Sequence, residues 1–232
     1  MKARPILFSG PMIRALLAGT KTQTRRVVKP QPYVANVIDG TTYWNVSGQV
    51  GGRIMLGQDF IASCPYGQPG DLLWVRETFR IGNDVGENWD DSSEPGDLHV
   101  IYEDGARDYN VPIDYWNDIP RNAREVHNSE NTPEHWISYG PIPSIFMPRW
   151  ASRLTLLITE VRVQRLQDIN AEDCWAEGMP FSPDVNPIHD YEETWESING
   201  AGSWDANPWC WALSFEVIKK NVDQVLAMKE TA

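Results

Sequence analysis

Lys21, Thr24 and Arg26 carry the chemistry this sequence offers most plainly. They lie in the run Gly19-Thr20-Lys21-Thr22-Gln23-Thr24-Arg25-Arg26, which has the form G-x-K-x-x-T-x-R. An amine three residues from a hydroxyl can supply a base and a nucleophile, the pairing that replaces histidine in Ser/Thr–Lys hydrolysis. Arg26 adds a permanent planar cation suited to phosphate or carboxylate. The run also sits where the chain changes sign. Residues 1–38 hold seven basic groups (Lys2, Arg4, Arg14, Lys21, Arg25, Arg26 and Lys29), and the first acid is Asp39. The whole chain has 20 basic and 32 acidic residues, so the remainder has 13 against 32, or −19, beside +7. A total of −12 argues against indiscriminate coating of nucleic acid, whose affinity scales with the phosphates neutralised. One focused basic pocket in an acidic body suits a small anionic ligand or a few nucleotides.

Several elements must position these residues. Ile6-Leu7-Phe8 reads as a first strand, and Ser9-Gly10-Pro11 opens a helix whose stripe is Met12, Ile13, Leu16 and Leu17. Gly19 stops that helix. The motif then alternates as a strand does, with Thr22, Thr24 and Arg26 on one face and Lys21, Gln23 and Arg25 on the other. Bringing Lys21 to Thr24 therefore requires a bend at the helix exit or a long reach. Residues 31–63 read as a hairpin or irregular excursion. The turn cluster Cys64 to Asp71 launches a strand through Leu72-Leu73-Trp74-Val75-Arg76-Glu77-Thr78-Phe79. Residues 82–142 are acidic, with a strand at His99–Glu103 and partial order expected through Tyr109, Tyr115, Trp116 and Trp136. A long strand follows over Arg153–Arg165. Asn170 caps a short helix through Glu177, which Gly178 and Pro180 stop. Another helix over Tyr191–Ile198, a last strand over Trp209–Ile218 and a helical tail complete the chain.

Composition bounds the rest. At 232 residues the chain is read as one elaborated domain. Eleven Trp supply core area, and 17 Pro with 17 Gly favour a β-rich α+β fold with short helices. Cys64, Cys174 and Cys210 are widely spaced and form no C-x-x-C, which argues against a disulfide framework or zinc ribbon and suits a reducing cytoplasm. The four histidines have no H-x-x-x-H spacing, so neither metal nor cofactor is expected. No membrane span is read, and the N-terminal apolar patch is broken by Pro11 and Arg14. The expected location is the cytoplasm.

The order of motifs resembles the ASCH domain, a relative of the RNA-binding PUA domain with a small β-barrel core. The resemblance rests on Gly19, Lys21, Thr24 and Arg26, on Gly70-Asp71 before Leu72-Leu73-Trp74-Val75, and on Trp209 to Glu216 as the closing strand. It covers about residues 5–30, 64–80 and 145–218, leaving 31–63 and 82–142 as insertions. The stretch Met147-Pro-Arg-Trp-Ala-Ser-Arg153 is similar to that of ASCH proteins of phages and prophages. Some small ASCH proteins are amidohydrolases acting on N(4)-acetylcytidine. The resemblance implies a catalytic set of Lys21, Thr24 and Glu177, with Glu172 and Asp173 as competitors for the last place.

Two mechanisms are open. Thr24 can attack with Lys21 as base, or a charged Lys21 can stabilise an oxyanion while Glu177 activates water. Burial beside Arg25 or Arg26 lowers a lysine pKa, and pairing with Glu177 raises it. Arg25, Arg26, Arg76, Glu77 and Trp150 are candidate substrate-binding residues, Trp150 as a base-stacking ring. Each has a structural alternative, in an ion pair or in the core. Three functions follow: a hydrolase of an acylated nucleoside, a non-catalytic RNA-binding module, and a phage accessory protein that binds a host protein through its acidic insertion.

Overall fold

Long apolar alternation fixes the two strands around which the first sheet is built. β11 (Thr155–Arg165) and β12 (Trp209–Ile218) bury much of their length, including Leu156, Ile158, Trp211, Leu213 and Phe215. They join β1 (Ala3–Leu7), β2 (Gln23–Val27) and β6 (Leu72–Arg76) in a five-stranded sheet of order β1-β6-β11-β12-β2. The structure, a computed structural model, describes residues 1–38, 40–47, 52–84, 98–108, 136–181 and 186–230. Tyr109, Tyr115 and Trp116 of the second insertion lie outside them. Among the described residues no ladder joins β1 to β2, so the sheet is open there.

Two further sheets arise from the stretches between. β3 (Tyr33–Ile38), β4 (Thr41–Asn45) and β5 (Ile54–Leu56) form an antiparallel meander, where the sequence suggested a hairpin or an irregular excursion. β7 (Phe79–Asp84), β8 (Leu98–Tyr102), β9 (Arg107–Asp108) and β10 (Trp136–Ile142) form a sheet of order β10-β7-β8-β9. The helices are short: α1 (Gly10–Ala18), α2 (Gly57–Ala62), α3 (Ala171–Ala176), α4 (Pro187–Asn199) and α5 (Val222–Glu230). The molecule is thus mixed α+β and mostly sheet. No helix of the described residues is long and apolar enough to cross a membrane.

The chain divides into two compact units built from interleaved segments. The first comprises Met1–Arg4, Ala15–Leu73 and Leu156–Lys219. Leu166, Ile169, Cys174, Tyr191, Trp195, Trp204 and Cys210 form one of its cores. Trp44, Phe60, Trp209 and Trp211 add a chain of ring contacts with centroids 4.6–5.4 Å apart. All three cysteines are free and buried.

The second unit comprises Pro5–Arg14, Trp74–Thr155 and Lys220–Ala232. Its core is Phe79, Ile81, Val100, Tyr102, Ile142, Met147 and Ala151, with Trp150 packed against it. The Met147–Arg153 stretch is used throughout as a clasp. The Glu77 N–H donates to the Met147 sulfur, Arg149 pairs with Asp223, and the Ser152 hydroxyl donates to the Val75 carbonyl. The Asn221 amide bonds the carbonyls of Arg149, Trp150 and Ser152 at 2.8–3.0 Å.

Candidate active site

The site is assembled by two turns. Gly19 adopts φ 77° after α1, and the N–H of Lys21 then bonds the Ala15 carbonyl at 3.2 Å. This turn delivers Lys21 just ahead of β2. On the other side, the Asn170 side chain accepts from the Asp173 N–H at 2.8 Å and starts α3, as its N-cap type predicts. α3 ends at Ala176 with Glu177 as its cap, and Gly178 follows at φ 96°, where a Cβ would lie 3.2 Å from Ala15 Cβ and 3.3 Å from Lys21 Cβ. Only glycine takes this conformation without strain and also leaves room for the lysine stem. Lys21 and Glu177 then form an isolated antiparallel bridge, and Thr22 N–H donates to the Ala176 carbonyl at 2.7 Å.

The bridge sets two side chains together. Lys21 Nζ donates to Glu177 Oε2 at 2.7 Å and to the Glu177 carbonyl at 2.8 Å. Lys21 has 0 % of its surface exposed and Glu177 6 %. Strand alternation places Gln23 and Arg25 on the face of Lys21, as the sequence indicated. Arg25 Nη2 meets Asp173 Oδ2 at 2.6 Å, and its Nη1 reaches Glu177 Oε1 at 3.4 Å and Gln23 Oε1. Gln23 Nε2 donates to Asp173 Oδ1 at 2.8 Å. Half-exposed Arg162 donates to the same oxygen at 3.1 Å. Three cations, Lys21, Arg25 and Arg162, thus surround two carboxylates.

Burial governs the electrostatics. Loss of water lowers the Lys21 pKa below the ordinary lysine value; the Glu177 carboxylate opposes this, while Arg26 and Arg25 add to it. Burial alone would raise Asp173, but Gln23, Arg25 and Arg162 outweigh it and hold its carboxyl below the usual value. Burial pushes the thiols of Cys174 and Cys210 up to about 11 and about 12. These thiols are protonated near neutrality and are poor nucleophiles.

No family model, curated protein or solved structure matches this chain. The site is therefore read from its own geometry.

That geometry brings together Lys21, Glu177 and Arg25 of the residues expected from sequence. Thr24 is buried on β2, paired in register with Leu213. No hydrogen bond from its hydroxyl to Lys21 or Glu177 is formed among the described residues. Arg26 is half-buried, opposite Trp211, and its charge acts on Lys21 and Tyr66. Arg76, Glu77 and Trp150 belong to the second unit. Arg76 donates to the Ile145 carbonyl at 3.1 Å and lies 4.6 Å over the Trp74 ring. Glu77 takes both prongs of Arg153 at 2.8 Å, and Arg153 also binds Asp104. Among the described residues, no group of three or more His, Cys, Asp or Glu is placed to hold a metal.

Gln23, Arg162 and Tyr191 are site residues that the sequence did not single out. Gln23 shares its strand face with Lys21 and Arg25, which alternation alone could have revealed. Asp173, weighed only as a rival for Glu177, precedes it by four residues and so lies on the same helical side. Both carboxylates are used, for different cations. Chemically, the cluster can hold a carboxylate beside an ammonium in a dry setting and pass a proton between them. Lys21 and Arg25 are paired with Glu177 and Asp173, so their charges are balanced within the site.

Proposed function

We propose that this chain is a nucleic-acid-related ASCH-type hydrolase that removes the acyl group from an acylated nucleoside, with N(4)-acetylcytidine as its reference substrate. The observation that carries the reading is the buried Lys21–Glu177 pair at 2.7 Å, formed by two motifs 156 residues apart in the chain. A second support is the sheet order. The segments that resemble the ASCH core supply the strands of one five-stranded sheet, while β3–β5 and β8–β10 come from the two intervening stretches. We assign the five-stranded sheet to a PUA-like small barrel core and those stretches to its insertions.

In the reaction, water adds to the acyl carbon and gives its proton to Glu177. The charge that develops on the acyl oxygen is met by Lys21. The tetrahedral intermediate then breaks its C–N bond, and the departing exocyclic nitrogen takes the proton from Glu177. One water is consumed; acetate and cytidine leave. The alternative route uses Thr24 as nucleophile and Lys21 as base. The burial that lowers the Lys21 pKa is the observation favouring it.

Incubation of the purified chain with N(4)-acetylcytidine tests the reading. Equal amounts of cytidine and acetate, growing with enzyme concentration, are expected. A folded protein that yields no cytidine contradicts it.

A further inference from the structure

The Glu177 carboxylate has a second oxygen whose surroundings the proposed reaction has not used. Oε2 takes the Lys21 ammonium, whereas Oε1 lies 3.4 Å from Tyr191 Oη and 3.4 Å from Arg25 Nη1. Tyr191 comes from α4, fourteen residues beyond Glu177, and no sequence motif joins the two. Its ring is fixed between aromatic neighbours, with centroids 6.2 Å from Trp195 and 6.3 Å from Trp204. Only 4 % of the residue is exposed. Burial pushes this phenol well above its ordinary pKa, and the Glu177 charge pushes it further, so the hydroxyl keeps its proton. A protonated hydroxyl facing a carboxylate donates to it.

We propose that Tyr191 is the positioning residue of Glu177: its hydroxyl holds Oε1 and turns Oε2 toward Lys21. The catalytic use of that carboxylate rests on the function proposed above; the way it is held does not. The groups facing Glu177 come from four elements and the turn before β2. They are Lys21 from that turn, Arg25 from β2, Tyr191 from α4, Cys174 from α3 and Cys210 from β12. Asp173 of α3 acts on it through Arg25. Arg25 and Lys21 supply charge from one side, and Tyr191 is the neutral donor that fixes the plane.

The test is Tyr191→Phe, which removes the hydroxyl and keeps the ring. The carboxyl of Glu177 is followed by carbon-13 NMR in protein labelled at glutamate, with Glu177→Gln identifying the signal. Tyr191→Phe is expected to move this carboxyl signal and to lower kcat on N(4)-acetylcytidine while leaving KM in place. Trp195→Phe serves as the packing control, expected to lower stability and leave the signal in place. An unchanged Glu177 signal in folded Tyr191→Phe overturns the inference, and so does an equal shift in Trp195→Phe. If wild type releases no cytidine, the proposed reaction fails on that result alone, and the carboxyl signal still decides the role of Tyr191.

Discussion

A lysine with no exposed surface destabilises the fold unless its charge is met, and Glu177 meets it from two atoms. Removing either partner alone, as Lys21→Met or Glu177→Leu, is expected to cost about 3–5 kcal/mol, because the other charge is left buried. The double substitution is expected to cost clearly less than the sum, read by urea unfolding in a double-mutant cycle. The same burial predicts the alkaline behaviour. The thiols of Cys174 and Cys210 titrate near 9.0 when unfolded and at about 11 and about 12 when folded. Above pH 9 the unfolded chain releases protons that the folded one keeps, so stability falls with pH, by about 1.4 kcal/mol per unit for each thiol. Lys21 acts in the opposite sense. Its folded pKa is below 10.5, so the unfolded chain binds more protons between that value and 10.5, and stability rises through the window. Calorimetry from pH 8 to 10.5 should therefore show a fall that Cys210→Ala flattens and Lys21→Met steepens. At this scale the chemical types were legible in sequence and the pairings were not. Alternation put Lys21, Gln23 and Arg25 on one face, but their acceptors lie about 150 residues away.

The elements that deliver these residues are held by local rules at their ends. Gly178→Ala meets both a positive φ and a close Lys21 stem, and a loss of about 1–3 kcal/mol is expected in denaturant unfolding. Asn170→Ala removes the cap of α3 and is expected to cost about 1 kcal/mol. Both changes displace Glu177, so both are expected to lower turnover more than a surface substitution such as Glu172→Ala. Elements with strong local signals could be read from sequence. β12 spans Trp209–Ile218 as expected, and α3 starts at the residue after Asn170. β7 and β10 had no such signal. Phe79–Asp84 contains Gly82 and Asn83, Trp136–Ile142 contains Gly140 and Pro141, and the two strands pair with each other across more than 50 residues of chain. Lys21 met Glu177 rather than Thr24 because the turn after α1 hands it to the α3 end before the strand begins.

Across the whole molecule the charge asymmetry has a narrower meaning than the raw count suggests. Of the seven basic groups in residues 1–38, Lys21 and Arg25 are buried against Glu177 and Asp173, and Arg4 pairs with Asp71. The other four are Lys2, Arg14, Lys29 and the half-buried Arg26, whose charge acts on Lys21 and Tyr66. If the chain binds single-stranded RNA through this stretch, the slope of log affinity against log salt is expected to be no steeper than about −3. A slope near −5, the value about seven phosphate contacts give, contradicts this reading of the charge. The interleaved units were not legible, because a compact unit made of three separate segments leaves no boundary in composition.

The most direct measurement is cytidine release from N(4)-acetylcytidine by wild type and by Lys21→Ala, Thr24→Ala and Glu177→Ala, each checked for folding by circular dichroism. Steady release by wild type, with a loss of at least about a hundredfold in Lys21→Ala and Glu177→Ala, is the predicted result. Full activity in a folded Glu177→Ala, or none in wild type, contradicts the claim that the Lys21–Glu177 pair does this chemistry.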